Sequence, residues 1–239
     1  MYSRIKPLRV HDFREVTYSS KHWKLLKKLR KTAIKLMKPL VENGIPCIVH
    51  GSIARGDVTK DSDIDIFITH PIPPYKLEIA LESAGISVME TRITQATPHH
   101  LVKAFYIIDE RSSIALPLCQ PRRLEREFYK FSGELTLEQL LKDERVPGVN
   151  KNLVLIVPTE KGHMEMEVVG RESEVSKVLG VSIDIVQQRV RVLTRRDAVG
   201  RTGLYINYVL SPDESIEEAL KKIALKFGTK DRLAEVIRP

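Results

Sequence analysis

The sequence predicts an α+β fold in which helices pack on a mixed β-sheet, followed by a smaller C-terminal α/β domain. Residues 46–68 form an apolar strand, a glycine-containing turn and a second apolar strand, and short strands and helices follow to about residue 121. Residues 173–196 instead show helical spacing on both sides of a glycine. These patterns predict a first domain at 1–121, a helical connector at 122–148 and a C-terminal domain at 149–239.

The composition is that of an ordinary globular protein and gives no sign of a membrane protein. The 239 residues have an ordinary globular composition, and no apolar run approaches the roughly eighteen residues that span a bilayer. We therefore expect a cytoplasmic protein without a membrane partner. Cys47 and Cys119 both lie in predicted buried strands, which favours two reduced core thiols.

The positive charge is concentrated at the N-terminus. Residues 1–46 contain 12 Lys or Arg and 3 Asp or Glu, a net +9, whereas the whole chain is +8, so the remainder is −1. This asymmetry indicates an anionic partner near the segment, although a solvated basic helix face explains it as well.

The first elements are an arm and a long helix. Residues 1–18 carry Arg4, Lys6, Arg9 and Arg14 and show no clear period, so we expect an arm that packs on another part of the protein. The next segment predicts a helix at about 21–41 that ends at Asn43-Gly44. Its apolar residues recur every three or four positions, and most of its lysines lie outside that stripe.

The stretch from Gly51 to Ile68 contains the residues best suited to chemistry. A strand at 46–50 leads into Gly51-Ser52, and a second strand carries Asp63-Ile64-Asp65. Because side chains alternate along a strand, both aspartates project from one face. Two neighbouring carboxylates repel each other unless a cation lies between them, and Mg²⁺ prefers carboxylates together with substrate phosphates.

The turn before this strand suits a phosphate. Gly51 lets the backbone approach a ligand closely, and Ser52 adds a hydroxyl. Arg55 offers a donor fork that matches phosphate oxygens. An Asp-x-Asp pair by itself also occurs in strands that bind nothing, so the value of the motif depends on its combination with Gly-Ser ten residues earlier.

The combined pattern, Gly51-Ser52, ten residues and then Asp63-x-Asp65 between two apolar strands, resembles the signature of the DNA polymerase beta-like nucleotidyltransferase superfamily. Within that superfamily it looks most like the catalytic domain of archaeal tRNA CCA-adding enzymes and small archaeal nucleotidyltransferases. The resemblance implies a nucleotidyltransferase-fold mixed sheet and a nucleoside triphosphate (NTP) as substrate. It also implies that Asp63 and Asp65 bind Mg²⁺ (or Mn²⁺) as catalytic residues, and that Gly51 and Ser52 hold the triphosphate.

The remaining elements of the first domain match a nucleotidyltransferase fold, but the third catalytic carboxylate of the related enzymes is not found at the expected position. A helix at 75–84 and strands at 87–95, 101–108 and 112–119 follow the motif. Archaeal CCA-adding enzymes carry a third catalytic carboxylate on the last strand of this domain, a few residues before a cysteine. When residues 112–119 are matched to that pattern, Ala115 stands at the position of the carboxylate. The alternatives are Glu90 within a strand, or Asp109 and Glu110, which are more typical of a solvated turn.

The C-terminal domain predicts a helix-turn-helix over residues 173–196. A first helix ends at Gly180, and Ser182 then begins a second one with Ile183, Val186, Val190 and Leu193 facing inward. Gln187, Gln188, Arg191 and Arg195 would lie on or beside its exposed face, where they could contact nucleic acid. A strand at 204–209 would form a wing, as in winged-helix proteins. The alternative is a helical hairpin that only packs.

Two functions therefore stay open at this point. The first is a magnesium-dependent nucleotidyltransferase that moves a nucleoside monophosphate from an NTP to an acceptor hydroxyl, with a nucleic acid as the candidate acceptor. The second is a catalytically reduced protein of the same fold that acts as a nucleotide-responsive, nucleic-acid-binding regulator. The residue at position 115 separates them, because alanine can neither bind a metal nor activate a hydroxyl.

Overall fold

The structure is a computed structural model, and it describes residues 13–200, 203–229 and 231–237. Its helices are α1 Ser20–Glu42, α2 Ser52–Arg55, α3 Pro74–Ser83, α4 Arg123–Ser132, α5 Leu137–Leu141, α6 Glu172–Leu179, α7 Ile183–Val199, α8 Ile216–Phe227 and α9 Asp231–Ile237. Its strands are β1 Arg14–Thr17, β2 Cys47–His50, β3 Ile64–Ile68, β4 Glu90–Gln95, β5 Lys103–Asp109, β6 Ser112–Pro117, β7 Glu134–Thr136, β8 Gly148–Val149, β9 Val154–Thr159, β10 Gly162–Glu167 and β11 Ile206–Val209. The predicted arm lies largely outside the described residues.

The chain divides into two compact units that interleave along the sequence. Unit 1 comprises Met1–Ile34, Val49–Ser62 and Arg126–Thr202, and unit 2 comprises Lys35–Ile48, Asp63–Glu125 and Gly203–Pro239. Both units are thus assembled from separate segments, and they do not follow the predicted boundaries at 121 and 148. That the segments 1–121, 122–148 and 149–239 act as functional domains stays a prediction.

Unit 2 is built on a mixed sheet. Within unit 2 the sheet has the strand order β11-β4-β5-β6-β3. Strands β3 and β6 are parallel, whereas β4, β5 and β11 join by antiparallel pairing. This arrangement confirms the predicted α+β class with a mixed sheet.

One face of this sheet forms the core of unit 2. Side chains at alternate positions of a strand share one face of the sheet, and large apolar side chains on this face are buried. They include Ile66, Ile93, Tyr106, Ile114 and Ile206, all at most 1% exposed. The Tyr106 hydroxyl donates a hydrogen bond to Glu78 Oε1 of α3 at 3.0 Å. The opposite face carries Asp65 on β3 and is therefore the face that bears on function.

Unit 1 contains a second, antiparallel sheet with the order β1-β10-β9-β8. Tyr18, directly after β1, lies with its hydroxyl 2.6 Å from Nδ1 of His163 on β10. Nε2 of the same imidazole lies 3.1 Å from Glu165 Oε1. Since a carboxylate only accepts, Nε2 carries the proton and Nδ1 accepts from Tyr18.

Helix α1 confirms the long helix predicted from the apolar period. It ends where Gly44 adopts φ 71°, a conformation that favours glycine. Its apolar stripe is buried, with Leu26, Ala33, Leu36, Met37 and Leu40 at most 4% exposed. Among the helices of the described residues, none is long and apolar enough to cross a membrane.

The predicted wing is wrong. Strand β11 instead pairs antiparallel with β4, so that Ile206 lies opposite Gln95 and Val209 opposite Arg92. Ile206 is fully buried there. An alternating strand fits a wing and a sheet edge equally well, and only long-range pairing decides between them.

Candidate nucleotide-binding site

The two aspartates of the motif flank the buried start of β3 in unit 2. Ile64 and Ile66 are 3% and 1% exposed, whereas Asp63 is exposed and Asp65 is half-buried. The strand pairing begins at Ile64, whose amide donates to the Arg111 carbonyl at 2.7 Å. The burial thus alternates along these four residues, as expected when the carboxylates occupy the face opposite the core.

Asp65 lies beside a serine of the neighbouring strand. In the parallel register of β3 and β6, Asp65 is opposite Ser113, and the Ser113 hydroxyl donates to Asp65 Oδ1 at 3.0 Å. Ala115 follows two residues later, opposite Phe67. The three β6 residues on the face of Asp65 are therefore Ser113, Ala115 and Pro117, and none of them supplies a third carboxylate.

The other candidate carboxylates, Glu90, Asp109 and Glu110, do not supply a third carboxylate beside Asp65. Glu90 shares the sheet face with Asp65 but lies on β4, three strands from β3, which corresponds to about 14 Å. It is bound instead by Arg92 of the same strand. Asp109 and Glu110 are exposed at the β5–β6 turn, where Asp109 Oδ1 accepts the Arg111 amide at 2.8 Å.

Within the described ranges, no group of three or more His, Cys, Asp or Glu side chains could hold a metal. The carboxylates of Asp63 and Asp65 nevertheless fit a magnesium ion that is bound mainly through the substrate. Two carboxylates on one face are the number that Mg²⁺ commonly takes from a protein, and phosphate oxygens and water supply the remaining positions.

Lys103 on β5 is a functional candidate that the sequence analysis missed. Alternate positions of β5 place it on the same sheet face as Ile107, which lies opposite Ser113. Its ammonium group lies 5.0 Å from the centre of the Phe105 ring. Although part of the side chain remains accessible, desolvation lowers the pKa of Lys103, and the negative charges of Asp65 and Glu125 oppose this shift. A single lysine inside an apolar strand was the signal in the sequence.

The Gly51-Ser52 turn lies in unit 1. Gly51 adopts φ 80° and ψ −144°, and its amide donates to the Gly133 carbonyl at 2.9 Å. A Cβ at position 51 would meet no heavy atom within 4 Å, so the space above this glycine is open. Ser52 begins α2, and its hydroxyl donates to Ser62 Oγ at 3.1 Å. In the part of the chain that the structure describes, the amides of Ser52 and Ile53 donate to no acceptor of the protein.

Arg55 has a structural role in place of the predicted contact with the triphosphate. The residue is 4% exposed, and its Nε and Nη2 donate to the two oxygens of Asp57 at 3.0 and 2.9 Å. Its Nη1 donates to the Ser132 carbonyl at 2.6 Å. An arginine whose donors are satisfied in this way holds the turn together and is not available to a phosphate.

The predicted site residues thus fall into two groups. Gly51 and Ser52 belong to unit 1, and Asp63 and Asp65 belong to unit 2. The binding of one triphosphate by both groups stays a prediction.

The helix pair at 172–199 matches the predicted order of elements. Helix α6 ends at Gly180 in the left-handed conformation, and α7 begins at Ile183. The inward face is partly different from the predicted one, because Ile185 and Val186 are buried whereas Ile183 is 40% exposed. Gln187, Arg191 and Arg195 are exposed and Gln188 is half-buried. Their contact with nucleic acid stays a prediction.

A comparison with models of protein families identifies the family to which the chain belongs. The model of the nucleotidyltransferase domain matches residues 26–226. The chain belongs to the nucleotidyltransferase domain family. This membership supports nucleotidyl transfer as its general activity and an NTP as substrate, and it agrees with the mixed sheet of unit 2. A comparison with curated proteins finds no match.

Proposed function

We propose that the protein is a magnesium-dependent nucleotidyltransferase that moves a nucleoside monophosphate from an NTP to a hydroxyl of a nucleic-acid acceptor and releases pyrophosphate. The single observation that supports this proposal is the alternation of burial at the start of β3, where Asp63 is exposed and Asp65 is half-buried between the buried Ile64 and Ile66, in a chain of this family. The similarity to archaeal CCA-adding enzymes is part of the proposal and names no particular acceptor.

Each proposed residue has a physical role. Asp63 and Asp65 would hold Mg²⁺ or Mn²⁺, which when bound would supply positive charge to the triphosphate. Gly51 and Ser52 receive phosphate oxygens through backbone amides and a hydroxyl. The open space at Gly51 and the unengaged amides of Ser52 and Ile53 support this role. Ser113 orients the carboxylate of Asp65 through its hydrogen bond.

A second function is supported by one observation, namely that Ser113, Ala115 and Pro117 occupy the β6 positions on the face of Asp65. Without a third carboxylate, the acceptor hydroxyl has no extra acidic residue beside Asp65 to take its proton. The alternative is therefore a regulator that binds nucleotide and nucleic acid but transfers nothing.

The deciding experiment incubates the full chain with each labelled NTP, Mg²⁺ or Mn²⁺, and pooled RNA, DNA and protein acceptors. We expect incorporation into nucleic acid, and a loss of about two orders of magnitude or more in Asp63→Ala and Asp65→Ala, because each removes a group that binds the metal. The matched control is Asp61→Ala, which removes an exposed acid of the preceding turn and should leave transfer unchanged.

Equilibrium dialysis with the same NTPs separates the outcomes. Triphosphate binding without incorporation under every condition would establish the regulator and overturn the transferase. Absence of both binding and transfer would overturn both functions. Folding of each variant is checked by circular dichroism, so that a loss of activity is assigned to the site.

A further inference from the structure

Helix α1 presents a row of lysines along one side. Lys21, Lys24, Lys27, Lys28 and Lys31 are all exposed. At 100° per residue they fall within an arc of about 120°, and the row is about 15 Å long. Lys35 and Lys38 continue the same arc further along the helix. We call the first five residues the lysine face of α1.

The charge of the lysine face is not neutralised by acidic neighbours. Within the described residues, the ion pairs of α1 are Arg30 with Asp143 and Lys38 with Glu42, and none involves the lysine face. Glu42 is also the only acidic residue of the helix. Five like charges side by side repel one another, and an external anion relieves that repulsion.

The other side of the helix excludes insertion of α1 into a membrane. An amphipathic helix that lies on a bilayer inserts its apolar side among the lipids. The apolar side of α1 is not available, because Leu26, Ala33 and Leu36 are at most 4% exposed. Arg30, also buried, donates to the Ile53 and Ala54 carbonyls and fixes the orientation of the helix.

The chemistry of the face also disfavours a protein or a single strand. Protein interfaces are depleted of lysine and depend on aromatic anchors, and single-stranded nucleic acid is bound by aromatic side chains that stack on its bases. The aromatic residue available on α1 is Trp23, which is half-buried with the Arg145 guanidinium 4.8 Å from its ring centre. The lysine face itself offers only point charges on a straight, rigid support.

We propose that the lysine face of α1 binds the sugar-phosphate backbone of a nucleic-acid duplex without reading its sequence. Its length corresponds to about four successive phosphates of one strand, since a duplex strand carries one phosphate per roughly 3.4 Å of axis. The inference deepens the proposed function by assigning the surface that recruits the acceptor, and it rests on that acceptor being a nucleic acid. Phosphate contacts of this kind position a duplex and carry no sequence information.

The test measures binding of labelled 20-base-pair RNA and DNA duplexes to the full chain by fluorescence anisotropy over a series of salt concentrations. The variant Lys24→Gln/Lys27→Gln/Lys28→Gln/Lys31→Gln keeps good helix formers and removes four charges. We expect the slope of log K against log salt to become shallower by about 3 to 4, because each phosphate contact contributes about 0.9. The matched control, Lys76→Gln/Lys151→Gln/Lys161→Gln/Lys221→Gln, removes four exposed lysines elsewhere and should keep the wild-type slope.

Further measurements compare duplexes of different sequence, single strands and additional variants. Two duplexes of unrelated sequence should bind within about threefold of each other, and a single strand with the same number of phosphates should bind more weakly. Equal weakening by both quadruple variants, binding only to phosphatidylserine vesicles, or loss of duplex binding only in Arg191→Gln/Arg195→Gln would each overturn it. Asp65→Ala should bind duplex as the wild type does, so that a failed transfer assay and a failed lysine face are distinguishable.

Discussion

The buried pair Arg55–Asp57 shows how one residue fixes the turn next to the candidate site. The side chains are 5% and 13% exposed, and the guanidinium also holds the Ser132 carbonyl. Arg55→Met should lower the free energy of unfolding by about 3 to 5 kcal/mol, because it leaves the largely buried Asp57 carboxylate and the Ser132 carbonyl without their donor. Chemical denaturation of the variant and the wild type measures the difference.

The matched control for Arg55 is Arg92→Met. Arg92 also pairs with a glutamate two residues away, but both side chains of that pair are about one-third exposed. Solvent screening limits such a pair to about 1 kcal/mol or less. If Arg55→Met costs no more than Arg92→Met, the structural role of Arg55 is wrong and its predicted contact with phosphate regains its basis.

The individual residues of the site were predictable only where local geometry decides. The alternation of burial from Asp63 to Ile66 follows from the strand pattern of the sequence, and the roles of the two aspartates stay a prediction. The role of Arg55 depends on Asp57 and Ser132 together, and an arginine after a glycine turn fits a phosphate or a carbonyl equally well. The neighbour of Asp65 comes from a strand 48 residues further along the chain, so neither Ser113 nor Lys103 was recognised.

Among the elements, β11 gives the sharpest test of the corrected topology. Ile206→Ala should destabilise the protein by about 2 to 4 kcal/mol, because the side chain is fully buried in the sheet of unit 2. A wing exposed to solvent would lose far less. Thermal and chemical denaturation of the variant provides the measurement.

Val209→Ala is the control for this strand, since Val209 belongs to β11 but is 48% exposed. Its truncation should change stability by about 0.5 kcal/mol or less. Equal effects of the two substitutions would contradict the pairing of β11 with β4.

Helices with local start and stop signals were predicted to within a residue or two. Helices α1 and α3 are examples, because the predicted ranges of about 21–41 and 75–84 compare with Ser20–Glu42 and Pro74–Ser83 in the structure. Strands β1, β7 and β8 were missed, since two to four residues are too few to show a period. Their existence depends on partners that are distant in sequence.

At the scale of the whole molecule, the boundaries between the two units could not be predicted from the sequence. Helix α1 and strand β2 each run from one unit into the other, after Ile34 and after Ile48. Domain boundaries are sought in linkers of altered composition, and no such linker exists inside a regular helix or strand. The sequence could therefore indicate the elements but not how long-range contacts distribute them between the units.

The stability of the whole chain should fall under mildly alkaline conditions because of a buried thiol. Cys47 is 4% exposed, and burial raises its pKa to about 12, whereas an unfolded cysteine titrates near 8.5. The folded state therefore retains a proton that the unfolded state releases, so the stabilisation is complete below about pH 8.5 and is lost as the pH rises toward 12. Each pH unit in this window should cost about 1.4 kcal/mol for this one group.

The measurement is the free energy of unfolding in denaturant at pH 8, 9 and 10 under reducing conditions, for the wild type and Cys47→Ala. The variant should start less stable, because it leaves a cavity, but should lose about 2 kcal/mol less between pH 8.5 and 10, since it has no thiol to ionise at position 47. Val49→Ala truncates another buried side chain of β2 without removing a titratable group, and it should keep the wild-type slope. If Cys47→Ala and Val49→Ala lost stability with pH in parallel, the Cys47 thiol would not remain protonated in the fold, and its burial in the sheet would be wrong.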